Sequence, residues 1–398
     1  MLTINDLFSN KNKIAQFYSE FKVEDRILLT GHSHQAWPDC AFNGMKRYWI
    51  DSSEFVDNKW EFAFKKADRV RSGFAKLTGT NSEEIVLGQN THELLLRLLS
   101  SIDLVNRPKI ITTDSEFHTA RRQFDKLAEI RLIELIKLNA EPVESLSERI
   151  SKIVDEKTSV VMVSKVFFNN ANILENIEII YKQCNLHGAY LILDVYHALN
   201  AIPFSVINEF IPNAFLIGGG YKYCQLGEGN CFLRIPPDCK LKPAITGWFS
   251  EFTALADKTK KYSVIYGEGH WAFAGSTYDP VSHYRACEVF DFFEEHNLIP
   301  EFLRQVSRIQ IDFLASEFDS YDLPQHIIKR DTCLPLDKSG GFLVLKTEYA
   351  NIITNKLHQR NILVDYRGNN LRLGPAPYLN KSQLSEGMAT LAEIASEL

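Results

Sequence analysis

The chain offers little for several common roles. Its seven cysteines, at 40, 184, 224, 231, 239, 287 and 333, are scattered and odd in number. Such a set excludes a disulfide framework and reads as free thiols, mostly small core residues, in a reducing compartment. Cys224, Cys231 and Cys239 lack zinc-ligand spacing, so no metal site is expected. No apolar segment approaches the length of a membrane span. No run of lysine or arginine occurs, and the net charge of −6 argues against a nucleic-acid surface. Met1-Leu2-Thr3-Ile4-Asn5-Asp6 has no basic region followed by an apolar stretch, so no signal peptide is read there and a cytoplasmic location is expected. Low-complexity tracts and internal repeats are also missing. What remains is an ordinary globular composition, 45% hydrophobic and 24% charged over 398 residues, enough to bury a large core in two domains.

The middle of the chain alternates apolar strands with amphipathic helices, the pattern of an α/β domain with a mainly parallel sheet. Candidate strands are Glu84–Gly88, Lys109–Thr113, Ser159–Ser164, Ala189–Asp194, Ala214–Gly218 and Gly229–Ile235. Candidate helices include Thr91–Ser101, Thr119–Ile130 and Asn176–His187. Past Pro280 a long helical region, Ser282–Phe318, precedes strands at Gly341–Lys346, Ile362–Asp365 and Leu371–Leu373. This predicts a large domain over 46–281 and a smaller α+β domain over 282–398, joined by an N-terminal segment over 1–45.

The chemistry concentrates at strand ends, where open α/β sheets bind their ligands. Gly218-Gly219-Gly220-Tyr221-Lys222-Tyr223 follows the apolar run Ala214–Ile217. Three consecutive glycines contribute no packing and mark a sharp turn or a close approach to a ligand. Aromatic neighbours would set Lys222 in an apolar wall, where a lysine loses proton affinity and can form a Schiff base as an amine nucleophile. Upstream, the strand Ala189–Asp194 ends in a carboxylate, with His197 three residues on. A Schiff-base lysine and a carboxylate for a pyridinium nitrogen are what pyridoxal 5'-phosphate (PLP) requires of a protein. Asn90, three residues before Glu93, predicts a capped helix start whose free N–H groups, at Thr91 and His92, favour a phosphate. Phe117 can stack on the pyridine ring or serve as a core phenylalanine, and the small hydroxylated residues Ser276 and Thr277 suit a phosphate-contacting turn or a plain loop.

Strand-Asp194-x-x-His197, Tyr221-Lys222-Tyr223 and a C-terminal motif with two arginines together resemble kynureninase, of the class V aminotransferase group of fold-type I PLP enzymes. The resemblance runs over nearly the whole chain. Gly31-His32-Ser33-His34-Gln35-Ala36-Trp37-Pro38 is similar to that family's N-terminal motif, and Thr246-Gly247-Trp248-Phe249 to its G-W-[WF] turn. Ala274-Gly275-Ser276 is similar to the class V A-G-T turn, and Asp365–Arg372 to the D-x-R-x-P-N-x-x-R end.

The resemblance implies a homodimer in which Trp248 and Ser276 reach the neighbouring subunit's cofactor. It implies that Arg372 clamps the substrate α-carboxylate, and that Tyr221 bonds the phosphate and serves as a general acid. His197 is expected on the ring hydroxyl or near the substrate carboxylate, and His32 and Ser33, with His34, at the substrate entrance. The leading expectation is a kynureninase-like hydrolase or lyase on a small or aryl-bearing amino acid. A class V aminotransferase, or another PLP lyase, is the alternative, and a non-catalytic PLP-fold protein a further one. The chain departs from the kynureninase pattern: Ser52–Trp60 holds no histidine, Gly368-Asn369-Asn370 lacks the proline, and Thr277 or Tyr278 stands where an asparagine reads the aryl group. Kynurenine is therefore expected to be a poor substrate. Cysteine desulfurase is disfavoured, because the connection from Arg367 to Arg372 has no cysteine and Cys333 lies far upstream.

Overall fold

A computed structural model describes residues 2–255, 263–332 and 335–398; Cys333 lies outside them. Seven strands form the main sheet: β1 (Ile85–Gly88), β2 (Lys109–Thr113), β3 (Glu134–Leu138), β4 (Thr158–Ser164), β5 (Tyr190–Asp194), β6 (Phe215–Gly219) and β7 (Cys231–Arg234). Their order is β1-β7-β6-β5-β4-β2-β3. All neighbours are parallel except β7, which runs antiparallel between β1 and β6. β4 and β6 are buried along their whole length and β5 at its three middle residues, as expected of parallel strands covered on both faces. β3 was not anticipated from the sequence. It is an edge strand, partly exposed and carrying Glu134 and Lys137, so its apolar signal is weak.

Helices α1 (Thr91–Leu99), α2 (His118–Glu129) and α3 (Ile177–His187) fall close to their expected places. The region read as one long helix is two, α4 (Val281–Glu295) and α5 (Pro300–Ser320). The break has a local cause. Asn297 takes a positive φ of 53°, and Pro300 disfavours a helical residue before it while suiting the first turn of the next helix.

A second sheet, β8 (Lys329–Arg330), β9 (Leu343–Lys346), β10 (Asp365–Arg367) and β11 (Asn370–Leu373), is antiparallel in the order β10-β11-β9-β8. Ile27–Leu28 pairs in parallel with Ile362–Leu363, which ties the N-terminal segment to this part of the chain. Among the described residues no helix is long and apolar enough to cross a membrane.

Ser164, Asp194 and Ile217 lie side by side in register across β4, β5 and β6, and Gly219 pairs with Cys231. The carboxyl ends of β1, β2, β4, β5 and β6 therefore open on one crevice, and β7 starts at the same end. The glycine triplet serves this crowding rather than a left-handed turn, for none of the three has positive φ. A Cβ on Gly219 would meet Tyr196 Oη at 2.3 Å, and one on Gly220 would meet Leu226 Cδ1 at 2.4 Å.

Candidate active site

Lys222 is the centre of the crevice. It is 5% exposed, and its Nζ lies 2.8 Å from His197 Nε2. The rings of Tyr196, Phe117 and Tyr221 surround it, with centroids 5.0, 5.5 and 5.5 Å from Nζ. Burial in this aromatic cage pulls the ammonium from 10.5 to about 7; the carboxylates of Asp194 and Asp365 oppose the fall, while Arg372 and Arg367 add to it. A substantial share of the lysine is thus uncharged amine near neutral pH.

His197 is the hydrogen-bond partner of the Lys222 amine, through Nε2. Burial, with the charge of Lys222, lowers its proton affinity well below the usual value, so it stays neutral. Asp194 sits at the end of β5, where one oxygen, Oδ1, accepts the Tyr196 backbone N–H at 2.9 Å. Burial raises its carboxyl, with the Tyr196 N–H and Lys222 opposing. No hydrogen bond to Oδ2 is formed among the described residues, so that oxygen is left for a donor in the cavity.

The cavity itself, about 280 Å³, is lined by Lys222, Asp194, His197, Tyr221, Thr91 and Phe117 of the expected residues. The α1 start is as anticipated: Asn90 Oδ1 accepts from Glu93 N at 2.9 Å, leaving the first N–H groups of the helix unused. His92, expected at the phosphate, is instead exposed and does not line the cavity. Tyr221 stacks on His34 with centroids 4.7 Å apart, and burial pushes its hydroxyl up to about 12.

Trp248, Ser276 and Thr277 are not brought to Lys222 of their own chain. Trp248 Nε1 donates to Thr277 Oγ1 at 3.2 Å, and Ser276 and Thr277 line a separate cavity of about 440 Å³.

Arg372 is 2% exposed and already engaged. Its Nε donates to Asp365 Oδ1 at 2.9 Å, Nη2 to Asp365 Oδ2, and Nη1 to the Phe168 carbonyl. A carboxylate arriving there would meet the end of the guanidinium, since the side of the fork is taken by Asp365. His32 completes the group, with Nε2 2.6 Å from Asp365 Oδ1. Burial lowers His32 to about 4 against the pull of Asp365. Burial would raise the Asp365 carboxyl, but His32 and Arg372 outweigh it and hold it well below the usual range. Ser33 Oγ lies 3.2 Å from His34 Nδ1, away from the lining of the lysine cavity.

Two groups escaped the sequence reading. Tyr196 follows Asp194 by two residues, a position with no distinctive signal, and its hydroxyl lies 3.6 Å from Cys231 Sγ. Glu116 is buried behind the cavity floor, accepting from Thr113 Oγ1 at 2.7 Å and Ser164 Oγ at 2.5 Å. Burial pushes its carboxyl up to about 7 despite those two donors.

No protein-family profile matches the chain. The uncharacterized aminotransferase YcbU of Bacillus subtilis (strain 168) is 20% identical over 378 residues, covering 93% of this chain and 95% of that protein. The apo cysteine desulfurase of Thermococcus onnurineus NA1 superposes with a TM-score of 0.78 at 16% identity, covering 97% of this chain and 98% of that one. The cystine C–S lyase C-DES, in complex with its product cysteine persulfide, gives a TM-score of 0.80 at 14% identity, covering 94% and 98%. The fold is that of the fold-type I PLP-dependent transferases. It is the α/β architecture with a mainly parallel sheet expected from the sequence. A mutant of C-DES with glycine covalently linked to its PLP cofactor has the same fold, with a TM-score of 0.80 at 15% identity over 95% of this chain and 98% of that one.

Proposed function

We propose that this chain is a PLP-dependent enzyme of the class V aminotransferase type, acting on an amino acid. The observation that carries the reading is the buried Lys222 amine, hydrogen-bonded to His197 and sharing one cavity with Asp194 and the open start of α1. These residues fit the cofactor: a neutral amine for its aldehyde, a free carboxylate oxygen for its ring nitrogen, unused helix N–H groups for its phosphate, and Phe117 for its ring face. PLP supplies an electron sink for charge released at the substrate Cα.

The rest is the protein's work. Nζ of Lys222 is hydrogen-bonded to His197 Nε2, and both residues line the cavity. An amine that titrates at about 7 can give and take a proton at near-neutral pH, which suits it to move the Cα proton. Asp194 would hold a proton on the ring nitrogen through a charge-assisted hydrogen bond. Arg372, braced by Asp365, would receive the substrate α-carboxylate.

Transamination or C–S or other lyase chemistry is the reaction reading we favour over kynureninase-like hydrolysis, in keeping with the aminotransferase and lyase relatives. Desulfuration through a protein thiol is not favoured. Cys231 is the cysteine that lines the cavity among the described residues, and burial pushes its thiol up to about 11, far from a reactive thiolate. We also propose a homodimer in which Trp248, Ser276 and Thr277 complete the other copy's site. Exposed Trp248, Phe252, Ile245 and Leu255 support a covered surface there.

The test is direct. The purified protein should be yellow, and borohydride reduction followed by peptide mass spectrometry should place a pyridoxyl group on Lys222. Labelling of a different lysine, or none after PLP addition, defeats the reading.

A further inference from the structure

One guanidinium at the mouth of the site has no role in the reading above. Arg367 ends β10, immediately before the tight Gly368–Asn369 turn, where Gly368 has φ 54°. Asp365 pairs with Arg372 and Arg367 with Asn370 across the hairpin, so these four residues share one face. That face is turned to the wall of the lysine cavity. Arg372 Nη1 donates to the Phe168 carbonyl and Asn370 Nδ2 to the Asn169 carbonyl at 3.2 Å, and Phe168 lines the cavity.

The two arginines are differently committed. Arg372 is buried and spends three N–H groups on Asp365 and Phe168. Arg367 is 44% exposed at its side chain, donates to the neighbouring Tyr366 carbonyl at 2.8 Å, and stands 3.8 Å from an Asp365 oxygen that Arg372 already holds. Across the opening lies the first turn of α2, with His118 against Phe168 at 5.7 Å between ring centroids. The charges of Arg121, Arg367 and Arg122 all bear on His118, and that of Arg367 bears on Lys222 as well. Of the carboxylates at this end of the cavity, Asp365 is held by His32 and Arg372 and Asp125 by Arg121 and Lys137, while Asp194 and Glu228 lie on the cavity wall itself. Among the carboxylates of the described residues, Arg367 has only the 3.8 Å contact to the shared Asp365, and so offers a guanidinium beyond the one that an α-carboxylate at Arg372 would use.

We propose that Arg367 reads a second anion, so that the substrate is an amino acid whose side chain ends in a carboxylate. The inference rests on the PLP reading and on Arg372 as the α-carboxylate site. A planar guanidinium matches a carboxylate in bidentate fashion and gains nothing comparable from a carboxamide of the same size. The positive rim would also draw dianionic substrates to the site, an effect that salt weakens.

The experiment uses the PLP-loaded protein and its visible spectrum. L-aspartate and L-glutamate are titrated against the isosteric neutral L-asparagine and L-glutamine. One acid should perturb the spectrum at a concentration about 10- to 100-fold below that needed for its amide, the range expected of a hydrogen bond to a charged group. Arg367→Gln should abolish that difference, and Arg367→Lys should restore part of it, while both variants keep the pyridoxyl adduct on Lys222. Equal response to acids and amides, no response to either acid, or an undiminished preference in Arg367→Gln overturns the proposal and leaves the cofactor reading standing. Loss of the Lys222 adduct in the unmodified protein is the separate failure of the reading beneath it.

Discussion

The buried amine of Lys222 should make the cofactor-free protein less stable at lower pH, and the effect can be isolated with Lys222→Met. Methionine keeps an unbranched chain in the aromatic cage but cannot take a proton. In the folded protein the lysine titrates at about 7, and in the unfolded chain at its ordinary 10.5. A folded-state value below the unfolded one means that protonation opposes folding. The cost is complete below pH 7, shrinks as pH rises from 7 towards 10.5, and is gone above that. Its full size is about 5 kcal/mol, at about 1.4 kcal/mol per pH unit. Chemical unfolding of both cofactor-free proteins between pH 6 and 9.5 reads it out. The variant's stability advantage should fall by about 3 kcal/mol across that range. Differences in packing between Lys and Met do not depend on pH and cancel from the slope. A pH-independent difference would refute the reasoning and mean that burial does not depress the proton affinity of the amine, since a folded-state value at or above 10.5 leaves both states protonated throughout this range.

The other expectations concern the carboxylates, the crowded glycine and the assembly. Asp194→Asn should retain PLP but lose about 10- to 150-fold in turnover, the worth of a charge-assisted hydrogen bond, as measured with any substrate found by spectral screening. Gly219→Ala should destabilise by about 1–3 kcal/mol in urea unfolding, because the new methyl meets Tyr196 Oη at 2.3 Å and Cys231 Sγ at 2.8 Å. Arg234→Met should cost about 3–5 kcal/mol, since it strands the buried Glu84 that now accepts from Arg234 Nε at 2.8 Å; adding Glu84→Leu should recover much of the loss. Light scattering should report a dimer, and a monomer that binds PLP tightly would contradict the shared-site proposal.

The parts of the site legible in the sequence are those that end an apolar strand. Asp194 and Lys222 are polar residues placed just after buried runs, and the sheet's parallel order sends both to the same crevice. What escaped notice depends on partners far apart in the chain. Glu116 looks like any residue of a turn until Thr113 and Ser164, 48 positions away, are seen to donate to its two oxygens. Arg372 reads as a free carboxylate clamp because its sequence shows the fork but not that Asp365 occupies one side of it. The glycine triplet reads in the sequence as a sharp turn or a close approach to a ligand, and the bulk of Tyr196, Leu226 and Phe232 pressed against it is a further reason that only the tertiary packing reveals. Trp248, Ser276 and Thr277 are a different case. Trp248 and Ser276 read as contributions to a second subunit, and within one chain Ser276 and Thr277 line a cavity of their own, with Trp248 bonded to Thr277, rather than meeting Lys222. A one-chain site would require them to converge on the lysine. Their separation from it is what a site divided between two copies would produce, so the oligomeric state is the measurement that gives those motifs their meaning.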